Sequence, residues 1–553
     1  MRQQASANGV TVKAYAGTTG VLLAMNVTPA SRDRLLGFAI ERRQGRAGAF
    51  RWLLNQLHFP RVPLRPGQLA PSNRAPLQKF RWSDYRVYPE TRYTYVVHPA
   101  YGPWDNPTIE DGPAVTVKTF GGRTGDHLVT FNRAAAASQA FSRRFPTLQA
   151  DIERDRAAGR AVRLPDEALT WLSRGLLEQI LAFIERAADD TWALDIAIYE
   201  YELPKIVAAV AAAQARGCRV RVVYHANKSD PDDEQTTVNR QNLAGLPDDA
   251  VRARLTRHIH HHKFIILSRL RGGGREPQAV LCGSTNFTEN GVYRQANVVH
   301  VVQVSAIAQQ YLDLFEVLFR GDDTRATKKF INQNNAFGTP RPVFAGFSPR
   351  SRGADLDAFI EIIDAARRDV FFCTAFNLSD RIEEALLGRE HDPILRYGLQ
   401  NSIGRIKGVH ADRTDKFVAA ALGSDGLEGW LRESAAGQRG SIYIHTKLVI
   451  VDFTSDAPTV ISGSHNFSRN ASADNDENYL ILRGNTDVAD SYACEFLRFF
   501  DHYRFRWFLA EQKRRQQRVR KPVLAEDDTW TNPYFGGDAL RTADRLRFAG
   551  EPV

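Results

Sequence analysis

No apolar run in this 553-residue chain approaches the about 18–20 residues that a bilayer-spanning helix requires. A membrane-spanning helix is therefore not expected. Met1-Arg2-Gln3-Gln4-Ala5-Ser6 runs into a β-like segment without the apolar stretch of a secretory leader, so the expected location is cytoplasmic. Cysteine is scarce: Cys218, Cys282, Cys373 and Cys494 are far apart and embedded in apolar patterns. They read as reduced core thiols, which excludes a disulfide-stapled scaffold. An acidic excess is lacking too. Net charge is +10 and the pI about 9.4, with a basic cluster of Lys513, Arg514, Arg515, Arg518, Arg520 and Lys521. That balance suits a polyanionic partner, either nucleic acid or an anionic phospholipid surface.

What the chain does contain is one pattern twice. His261-His262-Lys263 is followed by Gly283-Ser284-Thr285-Asn286-Phe287, and His445-Thr446-Lys447 by Gly463-Ser464-His465-Asn466-Phe467. In each copy an apolar run follows the lysine (264–267; 448–451) and another enters the glycine (279–281; 459–461). This reads as strand, turn, strand, with the polar residues at one sheet edge. Equivalent asparagines, Asn286 and Asn466, lie 180 residues apart, as expected of an internal duplication.

These residue types suit phosphate chemistry. A neutral imidazole can attack phosphorus and carry it covalently, and a second can protonate the leaving oxygen and then deprotonate water. Lys263, Lys447, Asn286, Asn466 and the Gly-Ser amides can hold non-bridging oxygens. If these cations carry the charge, no metal or other cofactor is needed. Two sets of groups also suit attack and departure on opposite sides of phosphorus.

At these residues the chain resembles the phospholipase D superfamily, whose pattern is His-x-Lys-x4-Asp followed by Gly-Ser-x-Asn. Copy two fits throughout, at His445, Lys447, Asp452, Gly463, Ser464 and Asn466, followed by Asn475-Asp476-Glu477-Asn478. Copy one has Ser268 in place of the Asp, and Ala296, flanked by Gln295 and Asn297, is expected to stand where copy two has Glu477. The resemblance implies that Asp452 is structural. It also implies that Glu477 reaches across to orient His261 as nucleophile, leaving His445, opposite Gln295 or Asn297, as general acid. The implied activity is phosphodiester cleavage through a phosphohistidine. Asn-Phe-Thr (286–288) and Asn-Phe-Ser (466–468) resemble the nuclease branch, so DNA or RNA is the expected substrate. The alternatives are a phospholipase D acting on glycerophospholipids, or a degenerate nucleic-acid-binding protein.

The expected architecture is multidomain: an all-β sandwich at 1–131, α/β units at 132–335 and 336–510 related by a pseudo-twofold axis, and a basic extension at 511–553. A chain of this length is too long for one core. Short alternating segments fill the first part. The run 89–97 resembles a fibronectin type III domain, with Tyr93 as the corner tyrosine bonding back to the backbone. Such a domain could bind a protein partner. Beyond it, helices are expected at 172–187, 203–215, 305–319, 356–366 and 489–500, alternating with strands. Because one chain supplies both motifs, dimerisation is not required.

Other polar clusters have plainer readings. His258, His260 and His262 would share one strand face but lack a Cys or acidic ligand at zinc spacing, so a polar rim to the cleft is the expectation. The acidic run 230–234 reads as a solvated loop. Lys328-Lys329 and Arg350-Ser351-Arg352 could line the cleft or lie on the surface.

Overall fold

The computed structural model describes residues 2–62, 68–121, 123–134, 140–141, 144–160, 164–376, 378–388, 392–401, 408–410, 415–419, 436–437, 440–441, 444–514 and 523–551. Alternation of apolar residues builds two antiparallel sheets at the N-terminus. One joins Arg2–Ala7, Val10–Ala16, Val21–Val27 and Arg81–Asp84; the other joins Leu35–Gln44 and Arg92–Tyr101 to shorter strands, among them Ala114–Lys118. Val12, Leu23 and Met25 from the first meet Phe38, Ile40 and Val97 from the second in a shared buried core. The Tyr88 N–H donates to Tyr93 Oη at 2.9 Å, so this tyrosine does bond to upstream backbone.

His127–Phe131 does not join these sheets. It pairs antiparallel with Val298–Val302, far along the chain, so the boundary expected after residue 131 falls behind a strand already committed to the α/β region. Its alternating pattern looks the same in either sheet, which is why sequence alone misplaces it.

Two eight-stranded sheets follow, and they repeat one order. In the first, His127–Phe131, Val298–Val302, Gly274–Gly283, Lys263–Arg271, Trp192–Ile198, Arg219–Asn227 and Val251–Thr256 lie side by side, with Arg123–Thr124 at the edge. In the second the order is Val343–Ser348, Glu477–Arg483, Thr459–Gly463, Lys447–Val451, Asp369–Thr374, Leu395–Gln400 and Asp415–Ala419, with Gly408–His410 at the edge. In both, neighbours are antiparallel as far as Trp192–Ile198 or Asp369–Thr374 and the next two pairs are parallel, Gly408–His410 returning antiparallel at the edge of the second sheet. The switch coincides with a helical crossover, Pro204–Ala215 or Asp380–Leu387, which a parallel connection requires. Residues 264–267 and 448–451 are buried without alternation, because both faces of these central strands are covered.

The helix expected over 172–187 is two helices, Asp166–Ser173 and Leu176–Glu185. Arg174 and Gly175 take positive φ between them, and Ser173 Oγ accepts the Leu177 N–H at 2.8 Å. The polar stretch after Ser229 contains a helix, Glu234–Leu243, capped by Asp233, whose carboxylate accepts from Thr236 N at 2.7 Å. The helix expected at 489–500 extends over Thr486–Arg514. Its Phe496 stacks on Phe371 at 5.5 Å, and Phe548 of the last helix, Ala539–Ala549, stacks on Phe371 at 5.8 Å. Tyr15 Oη donates to Phe548 O at 2.7 Å, so the C-terminal segment joins the β-sandwich to the second sheet. Of the basic cluster, Arg515, Arg518, Arg520 and Lys521 lie outside the described residues. All four cysteines are buried and free.

Candidate active site

Each Gly-Ser pair is shaped by the strand beside it. A Cβ on Gly283 would meet Val298 O at 2.2 Å, and one on Gly463 would meet Asn478 O at 2.3 Å, so only glycine lets the strands approach. The serines then repeat one set of bonds. Ser284 N donates to Val298 O at 3.1 Å and Ser464 N to Asn478 O at 2.8 Å. Their hydroxyls accept from Val298 N at 3.1 Å and Asn478 N at 3.0 Å. Each hydroxyl donates onward, Ser284 to Asn297 Oδ1 at 2.8 Å and Ser464 to Glu477 Oε2 at 2.6 Å. Asn297, not Ala296, therefore occupies the position matching Glu477. The spacing agrees, since Asn297 and Glu477 each lie 13 residues beyond the motif serine.

Two short parallel bridges join the halves beside the histidines, His260 with Asp476 and Ile444 with Ala296. Through them His261 N donates to Asp476 O at 2.8 Å and His445 N to Ala296 O at 3.0 Å. The residue after each bridge on the opposite strand thus meets a histidine. His261 Nδ1 lies 2.7 Å from Glu477 Oε2. His445 Nδ1 lies 3.1 Å from both Asn297 Oδ1 and the Ser284 carbonyl. Two pure acceptors fix His445 Nδ1 as the protonated nitrogen, and Glu477 does the same for His261 when it is ionised. The Nε2 atoms make no hydrogen bond among the described residues, and the ring centroids are 6.3 Å apart.

Lys263 Nζ donates to His261 O at 2.9 Å and Lys447 Nζ to His445 O at 2.7 Å. Burial holds His261 well below the usual imidazole range, with further lowering from Lys263 and Lys447. Burial and the same lysines do likewise to His445. Both rings are therefore neutral in this state. Burial pushes Glu477 up to about 8, against Lys263, Ser464 and Lys447. It pulls both lysines downward as well. A buried site with such displaced groups is poised for an anion that would restore the lysine charges. Asn286 and Asn466 each leave a buried Oδ1 without a partner among the described residues.

The remaining candidates separate by contact. Asp452, at φ 54°, accepts from Arg367 N at 2.9 Å and Arg368 N at 2.7 Å, and touches neither histidine. Ser268 has no such turn to tie: its strand continues to Arg271 past a bulge at Leu267/Ser268. Gln295 is half-buried and anchors through its carbonyl, which accepts from Asn132 Nδ2 at 2.7 Å.

His260 and His262 form no cleft rim. Both are fully buried, with Nδ1 3.1 Å from Asp476 Oδ2 and 3.4 Å from Asn478 Oδ1 respectively, while His258 is exposed. Among the described residues no group of three or more His, Cys, Asp or Glu is placed to hold a metal ion. Arg350 is buried and bonds Phe347 O at 2.8 Å and Asn335 Oδ1, and Lys329 and Arg352 are exposed. Arg254 grips Asp476 with Nε–Oδ2 at 2.8 Å and Nη2–Oδ1 at 3.0 Å, which fixes the bridge beside Glu477. Burial opposes that charge, but Arg254 and His260 hold Asp476 well below the usual carboxylate range. Glu200, two residues beyond the strand Trp192–Ile198, was not legible as a site residue, yet it accepts from Asn286 Nδ2.

Residues 180–319 and 415–500, which carry both motif sets, match the family model described as "Cardiolipin synthase, PLD-like domain". The match supports a PLD-like domain for these segments. Phosphatidylserine synthase of Haemophilus influenzae Rd KW20 is similar at 12% identity and TM-score 0.42, over 62% of this chain and 92% of that one. Yeast tyrosyl-DNA phosphodiesterase is similar at 12% identity and TM-score 0.30, over 55% and 88%. Polyphosphate kinase from Porphyromonas gingivalis is similar at 12% identity and TM-score 0.38, over 55% of this chain and 45% of its own length. No curated protein matches. Among the described residues no helix is long and apolar enough to cross a membrane.

Proposed function

We propose that the chain is a phosphodiesterase in which His261 is the nucleophile and His445 the general acid and base. The observation that carries this reading is the pair of rings 6.3 Å apart, each held at Nδ1 by the opposite half. A phosphate lodged between them can receive His261 Nε2 on one side and lose its alkoxide on the other. Its anionic charge offsets Lys263 and Lys447, raises the affinity of His445 for a proton, and so lets Nε2–H of His445 protonate the leaving oxygen. The P–O bond breaks as the N–P bond forms. Water then attacks phosphorus, His445 takes its proton, and His261 leaves neutral. Glu477 stabilises the charge that His261 acquires in the intermediate. Lys263, Lys447, Asn286 and Asn466 hold the non-bridging oxygens, and Ser284 and Ser464 position Asn297 and Glu477.

The repeated strand order supports reading the two sheets as duplicated halves about a pseudo-twofold axis. The +10 charge favours nucleic acid as the diester, with the N-terminal fibronectin type III-like sandwich as a docking module. The test supplies single-stranded DNA, duplex DNA, RNA and phosphatidyl vesicles separately. Cleavage of a nucleic acid that weakens steeply with salt is the expected result. Headgroup release from vesicles with no nucleic-acid cleavage would move the assignment to a phospholipase.

A further inference from the structure

Besides the exchange of Glu477 for Asn297, the two halves differ near the phosphate site in the residues that follow their central strands. Ala197 pairs with Phe264, the residue after Lys263, and Cys373 pairs with Leu448, the residue after Lys447. Three residues beyond those strand positions stand Glu200 in the first half and Phe376 in the second. Each half has an aromatic wall: the Tyr199 ring centroid lies 5.3 Å from that of His261 and 5.3 Å from Lys263 Nζ, and the Phe376 centroid 6.3 Å from that of His445 and 5.9 Å from Lys447 Nζ. Glu200 adds to the first half a carboxylate against the Asn286 amide, the group that would hold a phosphoryl oxygen. Its place is fixed by the backbone: Phe287 N donates to Glu200 O at 3.1 Å and Glu202 N to Phe287 O at 2.9 Å.

We infer that Glu200 is a specificity-determining residue whose carboxylate, held against the Asn286 amide, discriminates against doubly charged phosphates. This rests on the phosphate-site reading above. The carboxylate competes with a bound anion for the Asn286 amide, and its negative charge repels a terminal monoester, which carries two negative charges, more than a diester, which carries one. The charged groups acting on Glu200 are Lys263 and Lys447, which oppose protonation, and Glu202, which favours it; Asn286 is its hydrogen-bond partner. Burial, the largest influence, pushes Glu200 up to about 7, so the carboxylate is present at pH 8 and is lost as pH falls below that value.

Sulfate, a dianion throughout the working range, and dimethyl phosphate, a monoanion, serve as probes of inhibition and of calorimetric binding at about pH 8. Glu200→Gln should tighten sulfate about tenfold more than dimethyl phosphate, as expected for removing one nearby negative charge. The preference of the wild type for dimethyl phosphate over sulfate should shrink as pH falls below about 7, and should do so more than in a folded Glu200→Gln protein. An unchanged sulfate-to-diester ratio in a folded Glu200→Gln protein, equal weakening of both anions, or the same pH trend in both proteins would overturn the role of Glu200 while leaving the phosphodiesterase reading intact. A wild type that binds neither anion and cleaves no diester would overturn that reading, and the inference with it.

Discussion

His261 and His445 stand at matching positions on matching strands, yet the groups behind them differ. Glu477 offers His261 a carboxylate, whereas Asn297 and the Ser284 carbonyl offer His445 neutral oxygens. Both arrangements fix a tautomer. Only the carboxylate also stabilises positive charge on the ring, and that is what a nucleophilic histidine needs once it bonds to phosphorus. A neutral backing keeps a ring easier to deprotonate, which suits a group that must give up its proton and take it back. On this account a duplicated scaffold acquired two roles through one side-chain difference, Glu477 against Asn297.

Removing either ring should have the largest effect. His261→Ala should lose turnover by about 10³-fold or more, and His445→Asn should slow the breakdown of the intermediate so that it accumulates; a single-turnover assay separates the two. Changing what stands behind the rings comes next. Glu477→Gln should lower kcat by about 10²–10⁴-fold, and Asn297→Ala by about tenfold, since the Ser284 carbonyl still holds the tautomer. Equal losses in these two variants would contradict the division of roles.

The same pair should differ in stability against pH. Glu477 is raised in the folded state, so its contribution is fully present below the ordinary carboxylate pKa and is lost as pH rises towards about 8. Glu477→Gln removes that loss, so its melting temperature should gain on the wild type between about pH 5 and pH 8. Asn297→Ala should show no such trend. Both histidines are lowered in the folded state, so their contribution is present above their unfolded pKa and is lost as pH falls below it. The smallest contrast is structural: Asp452→Ala should cost about 1 kcal/mol by freeing the Arg367 and Arg368 amides. Ser268→Ala should change stability by less than about 0.5 kcal/mol, because its buried hydroxyl has no partner among the described residues. Denaturant titration measures both.

Much of this site is local in sequence. His, Lys and the Gly-Ser-x-Asn turn occur within one hairpin, so their spacing alone brings each set to one edge. What joins the halves is not local. The bridges at His260/Asp476 and Ala296/Ile444 depend on how two sheets pack, and so does the place of Arg254 beside Asp476; Asn297, by contrast, follows from the 13-residue spacing that both motif serines share. The histidine cluster precedes the strand Lys263–Arg271 rather than lying on it, and His260 and His262 are buried against Asp476 and Asn478 of the opposite half, which local spacing does not reveal. Glu200 escaped notice because a lone Glu after an apolar strand carries no pattern. Only the register against Phe264 and the turn at Phe287 place it beside Asn286.

The central claim is that phosphorus is carried by His261 and by no other residue. Rapid quenching of the His445→Asn protein with a substrate labelled at the scissile phosphate, followed by digestion and peptide mass analysis, tests it directly. The account expects an acid-labile, alkali-stable phosphoramidate on the peptide containing His261, formed at the rate of the first chemical step. Label on any other residue in the wild type, or full turnover with no covalent adduct at any time point, would contradict it.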